Sequence, residues 1–280
     1  MRFLTRIGFY VATLAALAMS GGFIAAAQAD QPSPWAMGLQ EAATPIMEDI
    51  IVFDNFLLVI ITVISLFVLA LLLIIMIRFN ARANPVPSKT SHNTLLEVAW
   101  TIVPILILVA IAVPSFRLLY KQIEIPEADL TVKATGYQWY WGYEYPDHGE
   151  FMFDSRMLPD EELNGRPRLL ATDTEMVVPV GKTVRVVVTA ADVIHSFAVP
   201  SFGVKVDAIP GRLNETWFRA EKTGLFYGQC SELCGINHAF MPIAIRVVSE
   251  EDFAVWVERA KEEYAGLNGT TKLALAASGN

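Results

Sequence analysis

Residues 230–241 read Cys-Ser-Glu-Leu-Cys-Gly-Ile-Asn-His-Ala-Phe-Met, which spaces Cys230, Cys234, His238 and Met241 four, four and three positions apart. A second histidine, His195, lies upstream in Asp-Val-Ile-His-Ser-Phe, at the end of a strand pattern. Thiolate, imidazole and thioether together form a soft donor set that suits copper. One Cys, two His and one weak Met would make a mononuclear blue-copper site. The second cysteine adds another option, because two thiolates can bridge two metals and leave each a terminal His and one weak axial ligand. Met241 can supply one of these, and a backbone carbonyl near Glu232 the other. Bridging spreads one unpaired electron over both metals, so geometry changes little between redox states. No position is left open for substrate, so such a site carries electrons and does not itself bind oxygen. On spacing alone two alternatives stay open: a Cys230–Cys234 disulfide in an oxidising exported compartment, and a structural zinc on two Cys and two His, which gives Met241 no role.

A second feature is the run Gln138-Trp139-Tyr140-Trp141-Gly142-Tyr143-Glu144-Tyr145. Aromatics alternating on a strand are ordinarily core and interface filler. Strand alternation puts Trp139 and Trp141 on one face and Tyr140 on the other, and an exposed Trp beside a copper pair would serve as the contact through which electrons arrive. His92 and His148 stand in polar loop contexts and read as solvated.

The elements that must hold these groups are β-strands. Alternating or β-branched runs recur at Leu130–Ala134, Gln138–Tyr145, Met176–Val180, Thr183–Thr189, Thr216–Arg219, Leu225–Gly228 and Pro242–Val248, separated by turn residues such as Pro146-Asp147, Gly181-Lys182, Pro210-Gly211 and Thr223-Gly224. Short strands at this spacing predict a sandwich or Greek-key barrel. Ser249 followed by Glu250, Glu251 and Asp252 reads as an N-cap with acids in the first helical turn. The helix is expected to run to about Tyr264, with residues 265–280 a loose tail.

Composition sets the wider frame. Of 280 residues 54% are apolar and 18% charged, with a mean hydropathy of +0.42, which excludes a disordered chain and argues against an ordinary soluble domain. The net charge of −8 speaks against a nucleic-acid partner. Two cysteines are too few for a disulfide scaffold. Arg2 and Arg6, an apolar stretch and Ala27-Gln28-Ala29 form a signal-peptide pattern over residues 1–29, with an uncleaved anchor as the alternative. Phe56–Ile77 and Val98–Phe116 carry 22 and 19 residues without a charge, and about 20 apolar residues cross a bilayer core. Arg78, Arg82 and Lys89 in the loop between them make that loop cytoplasmic by the positive-inside rule. Residues 30–117 are therefore expected to be an N-terminal segment and transmembrane helical hairpin, and 118–264 an exported domain. From Leu118 onward there are 15 Lys plus Arg against 23 Asp plus Glu, so the whole net acidity lies in that part. Glu97, at the cytoplasmic start of the second span, reads as a helix-start carboxylate or as the mouth of a proton path.

With these residues in view, the chain resembles subunit II of the haem–copper cytochrome c oxidases in its bacterial form, from about residue 45 to 264. The resemblance rests on the hairpin, Gln138–Tyr145, Asp192–Phe197, Asp207-Ala208-Ile209-Pro210-Gly211-Arg212, and Gly228 through Pro242. It implies a two-helix transmembrane hairpin plus an all-β cupredoxin-like Greek-key barrel bearing the dinuclear CuA centre. The implied ligands are His195, Cys230, Glu232 through its carbonyl, Cys234, His238 and Met241. It further implies that the Glu232 carboxylate reaches a magnesium ion shared with subunit I, that Trp139 admits the electron, and that Glu144, Glu150 and Asp192 meet the lysines of cytochrome c. Glu97 matches the entrance of a proton channel in subunit I, which holds the haems and on which the spans would pack. The activity implied is transfer of electrons from ferrocytochrome c to haem in subunit I, where oxygen becomes water with proton pumping at a bacterial inner membrane. A quinol oxidase subunit would need no CuA, a copper-delivery protein no paired spans, and a nitrous oxide reductase a further copper domain.

Overall fold

The computed structural model describes residues 28–277, with side chains from 31 to 264. Most of the expected signal peptide lies outside the described residues. Gln28–Asp30 forms a short strand, β1.

Two long helices follow. Helix α1 spans Pro45–Arg78 and α2 spans Thr94–Ile123, 34 and 30 residues. Both are longer than the uncharged runs, because polar caps extend them beyond the apolar stretch. The Thr44 side chain accepts from the Met47 amide, and Pro45 occupies the first turn, where a missing N–H costs nothing. Asn93 caps α2 by accepting from the Leu96 amide. Pro104 and Pro114 lie inside α2 without ending it. The faces of both helices are exposed along their apolar length, as expected of helices whose solvent is lipid. An ion pair between Lys121 and Asp49 ties the hairpin together at the end nearer the β-domain.

The β-domain consists of two sheets. The strands are β2 (Leu130–Tyr137), β3 (Tyr140–Tyr145), β4 (Phe151–Ser155), β5 (Met176–Pro179), β6 (Thr183–Ala190), β7 (His195–Val199), β8 (Val204–Ala208), β9 (Asn214–Arg219), β10 (Gly224–Cys230) and β11 (Pro242–Val248). One sheet runs β5-β11-β10-β7-β8, with β1 beside β10; the other runs β4-β3-β2-β6-β9. Both are mixed, with β2–β6 and β5–β11 parallel. Burial alternates strictly along β2 and β6, so Val132, Ala134, Val186 and Val188 face the opposite sheet. There they meet Phe197, Ile243 and Ile245 in one continuous core.

The barrel sits on the base of α1. Thr44 Oγ1 donates to the Phe202 carbonyl at 2.8 Å, and the Ala43 amide to the Ser201 carbonyl at 2.9 Å. Ile46 and Met47 are buried against this junction.

Helix α3, Glu250–Ala277, begins where the Ser249 hydroxyl accepts from the Asp252 amide at 3.1 Å. Trp256 and Tyr264 pack on Phe151 and Phe153 of β4. The helix continues past Tyr264, where a loose tail is expected; Lys272 to Ala277 are strong helix formers, which favours propagation through Gly266 and Gly269.

A candidate metal centre at one end of the barrel

Strand pairing brings the separated ligand residues together. His195 opens β7, and Cys230 closes β10, which runs antiparallel to it with Cys230 opposite Phe197. The β10–β11 register closes at Gln229 opposite Pro242, so residues 231–241 form a loop whose two ends are held side by side. The Ser231 amide donates to the Ser196 carbonyl at 3.0 Å and fixes where that loop departs. A 3-10 turn, His238–Phe240, then aims His238 and Met241 back over the cysteines.

The two Sγ atoms are 3.8 Å apart. Cys230 Sγ lies 3.9 Å from His195 Nδ1 and 3.3 Å from the Glu232 carbonyl oxygen. Cys234 Sγ lies 3.5 Å from His238 Nδ1 and 3.5 Å from Met241 Sδ. Each sulfur thus has its own imidazole nitrogen and its own weak donor. Both cysteines are free. One donor atom from each of His195, Cys230 and Cys234 falls within 4.8 Å of the others. Donors that bind a transition metal at about 2.0–2.3 Å end up separated by such distances. His195 and Met241 are fully buried and both cysteines nearly so, whereas His238 is half-buried at the rim. Soft sulfur and imidazole donors in a dry pocket fit copper.

The site is charged in an ordered way. Burial pushes the Cys230 thiol up, but hydrogen bonding with His195 and with the backbone of Glu232 and Ser196 outweighs it, and the thiol lies below the usual cysteine range. Burial and the neighbouring Cys230 sulfur push the Cys234 thiol up. Without metal the pair therefore gives up one proton readily and retains the second. Burial opposes charge on His195, but Cys230 and Asp192 outweigh it and raise its pKa.

Several supporting residues are not legible as ligands. Asp192 Oδ1 stands 2.9 Å from His195 Nε2, which turns Nδ1 toward the sulfurs. A Cβ on Gly136 would come within 2.9 Å of the His195 ring, so this glycine in β2 makes room for the ligand. The Trp141 indole N–H donates to the Met241 carbonyl at 3.3 Å, and its ring lies edge-on to Phe197.

The aromatic run is not one strand. Gln138 and Trp139 form the turn between β2 and β3, and β3 starts at Tyr140. Trp141 is fully buried in the core, while Trp139 is half-buried against the metal loop, its Nε1 donating to the Cys234 carbonyl at 3.3 Å. The expectation that Trp139 and Trp141 share one face is therefore corrected: the turn breaks the two-residue alternation between them.

The remaining expected residues lie away from the sulfurs or face elsewhere. Glu144 is paired with Lys133 at 2.9 Å, and Glu150 is exposed after the β3–β4 turn. The Glu232 side chain is exposed on the metal loop. Glu97 lies in the first turn of α2, at the far end of the hairpin from the barrel, where its carbonyl accepts from Thr101 Oγ1.

Known proteins share this chain's sequence over both parts. Residues 32–118 match the family model described as cytochrome c oxidase subunit II, transmembrane domain, and residues 130–248 that described as cytochrome c oxidase subunit II, periplasmic domain. The probable cytochrome c oxidase subunit 2 of Rickettsia bellii is 59% identical over 247 residues, 88% of this chain and 91% of the relative. Cytochrome c oxidase subunit 2 of Cereibacter sphaeroides is 54% identical over 250 residues, 82% of each. The solved periplasmic domain of subunit II of the Bradyrhizobium japonicum cytochrome oxidase is 67% identical, covering 50% of this chain and 99% of that one, with a TM-score of 0.48.

Proposed function

The chain belongs to the cytochrome c oxidase subunit II family, whose role is electron transfer at a copper centre, and on that premise we propose how its own residues perform it. Cys230 and Cys234, together with His195, His238, Met241 and the Glu232 carbonyl, would hold a pair of copper ions. When bound, this pair supplies a store for one electron. The protein's contribution is to hold the ligands so that they need not move as charge comes and goes. His195 is locked by burial and Asp192, and Met241 by burial and the hydrogen bond from Trp141. A rigid, dry ligand set keeps reorganisation small.

Ferrocytochrome c docks on the acidic domain, with Glu144, Glu150 and Asp192 on the side that faces it. Net acidity in this part of the chain supports steering of a basic partner. The electron arrives through Trp139, whose indole N–H touches the Cys234 carbonyl, and leaves to haem in subunit I. The exposed Glu232 carboxylate would help to hold a magnesium ion at the boundary with subunit I. Glu97 stands at the entrance of a proton path in that subunit, on which α1 and α2 pack. The barrel and both mature termini lie on the periplasmic side, after removal of a signal peptide, with Arg78, Arg82 and Lys89 in the cytoplasm.

One observation carries this reading. Two free sulfurs 3.8 Å apart, each with a separate imidazole nitrogen beside it, support a two-metal reading in which Met241 has a role. The test is metal content and electron paramagnetic resonance of the full chain in detergent after copper loading. Two coppers per chain sharing one unpaired electron support it. One copper, or a zinc form with no signal, overturns it.

A further inference from the structure

Asp192 carries a side chain that the sequence alone reads as a surface charge, yet its oxygens turn inward. Oδ1 accepts from His195 Nε2 at 2.9 Å and from the Val193 amide at 2.6 Å, while Oδ2 accepts from the Gln138 amide at 2.6 Å. The first bond orients a buried imidazole. The last fixes the start of the turn that carries Trp139. The same turn is tied a second time, since Gln138 Nε2 and Trp139 Nε1 both donate to the Cys234 carbonyl, at 2.8 Å and 3.3 Å. Nor is there slack beneath it: a Cβ on Gly235 would meet the Trp139 ring at 3.0 Å and Gln138 Nε2 at 3.1 Å.

We propose that Asp192 is a positioning residue, one carboxylate that fixes His195 and the Trp139 turn in a common frame, so that the electron-admitting ring and the metal ligand cannot shift independently. This rests on the copper reading above and deepens it. Hydrogen bonds to a carboxylate are among the stronger ones in proteins, and an acceptor with two oxygens serves three donors where an amide has a single oxygen to offer. Position matters here more than charge. A glutamate keeps the charge but carries its oxygens one methylene further out, away from all three donors. An asparagine keeps the length but puts an N–H₂ group against one of them.

The experiment compares Asp192→Glu and Asp192→Asn with the unaltered protein, each as the full chain assembled in the oxidase. Two coppers sharing one unpaired electron in the unaltered protein must be seen first; their absence there sinks the metal reading and not the positioning role. If Asp192 positions, both variants alter the copper hyperfine pattern and visible absorption. Both also slow electron uptake at saturating cytochrome c, with Asp192→Glu giving no rescue. In the metal-free protein, hydrogen exchange at the Gln138 amide speeds up by about tenfold or more in both, as expected when a bond to a charged acceptor is lost. A role in docking alone, with no positioning, makes the opposite forecast. Asp192→Glu would then match the unaltered protein in every readout, and Asp192→Asn would raise the KM for cytochrome c with an unchanged copper spectrum. That pattern overturns the proposal.

Discussion

Cys230 Sγ and Cys234 Sγ stand 3.8 Å apart, well beyond the roughly 2.05 Å of a disulfide bond, and the two sulfurs serve unequal halves of the site. Cys230 faces the fully buried His195, which Asp192 holds from behind; Cys234 faces the half-buried His238 at the rim. If both sulfurs bridge, neither half stands alone. Cys234→Ser is therefore expected to abolish the shared-electron signal and leave at most one copper per chain, held on the His195 side. Metal analysis with electron paramagnetic resonance checks this, and a variant that keeps two coppers and an unchanged signal would contradict the bridging role. Because Ser is close in size to Cys, the fold itself should lose no more than about 1–2 kcal/mol.

Two glycines should prove as restrictive as the ligands. A Cβ on Gly136 would press on the His195 ring at 2.9 Å, and one on Gly228 would reach the Ala198 carbonyl oxygen at 2.1 Å. A ring can tilt, whereas backbone cannot yield without disturbing the β7–β10 pairing beside Cys230. Gly136→Ala should cost about 1–2 kcal/mol and weaken copper retention, and Gly228→Ala about 3 kcal/mol or more. Thermal unfolding in detergent together with copper content tests both. A fully loaded Gly136→Ala chain with an unaltered spectrum would show that the glycine has no bearing on the ligand.

How much of this could be read beforehand differs from residue to residue. The candidate site was legible because Cys230, Cys234, His238 and Met241 fall within twelve residues at spacings that suit a metal, although a disulfide stayed open on spacing alone. The hairpin was legible because uncharged runs of that length have few other uses. The face assignment of Trp139 was not, since a turn inside an aromatic run preserves the look of alternation while breaking it. Strands β4, β7 and β8 are missing from the expected runs, and His195 opens β7 where it was expected at the end of a strand: each of the three is only five residues long, and Asp154, Lys205 and Asp207 interrupt the apolar content of β4 and β8. The inward grip of Asp192 depends on the amides of Gln138 and Val193, and backbone partners leave no trace in residue identity. The close approach of Gly136 to His195 joins β2 to β7, a contact that only the sheet arrangement creates.

Copper uptake should weaken as pH falls, and the sign follows from the ligands. His195 has a raised pKa in the metal-free protein, so it keeps its Nδ1 proton to a higher pH than an ordinary histidine. The Cys234 thiol is raised as well and keeps its proton through neutrality. Copper must displace both, and each proton displaced costs about tenfold in affinity per unit fall in pH over the range where it is bound. Titrations in buffers of different ionisation enthalpy, between about pH 6 and pH 8 around the histidine range, should show net proton release and an affinity rising with pH. Equal affinity across that range, with no protons released, would mean the ligands are already deprotonated.

Trp139→Phe separates the path of the electron from the binding of its donor. The substitution keeps an aromatic face against the metal loop but removes the indole N–H that donates to the Cys234 carbonyl, and with it the second ring. The Gln138 side chain still holds the same carbonyl at 2.8 Å, so the loop keeps its place and the fold loses no more than about 1 kcal/mol. No charge changes, so association with cytochrome c should weaken with rising salt as steeply as in the unaltered chain. The copper absorption should also be unaltered. What should fall is the rate of electron uptake at saturating cytochrome c, followed by stopped-flow reduction of the copper band. A rate equal to that of the unaltered chain would remove Trp139 from the path, whereas a slower rate accompanied by a shifted copper spectrum would assign it to holding the loop.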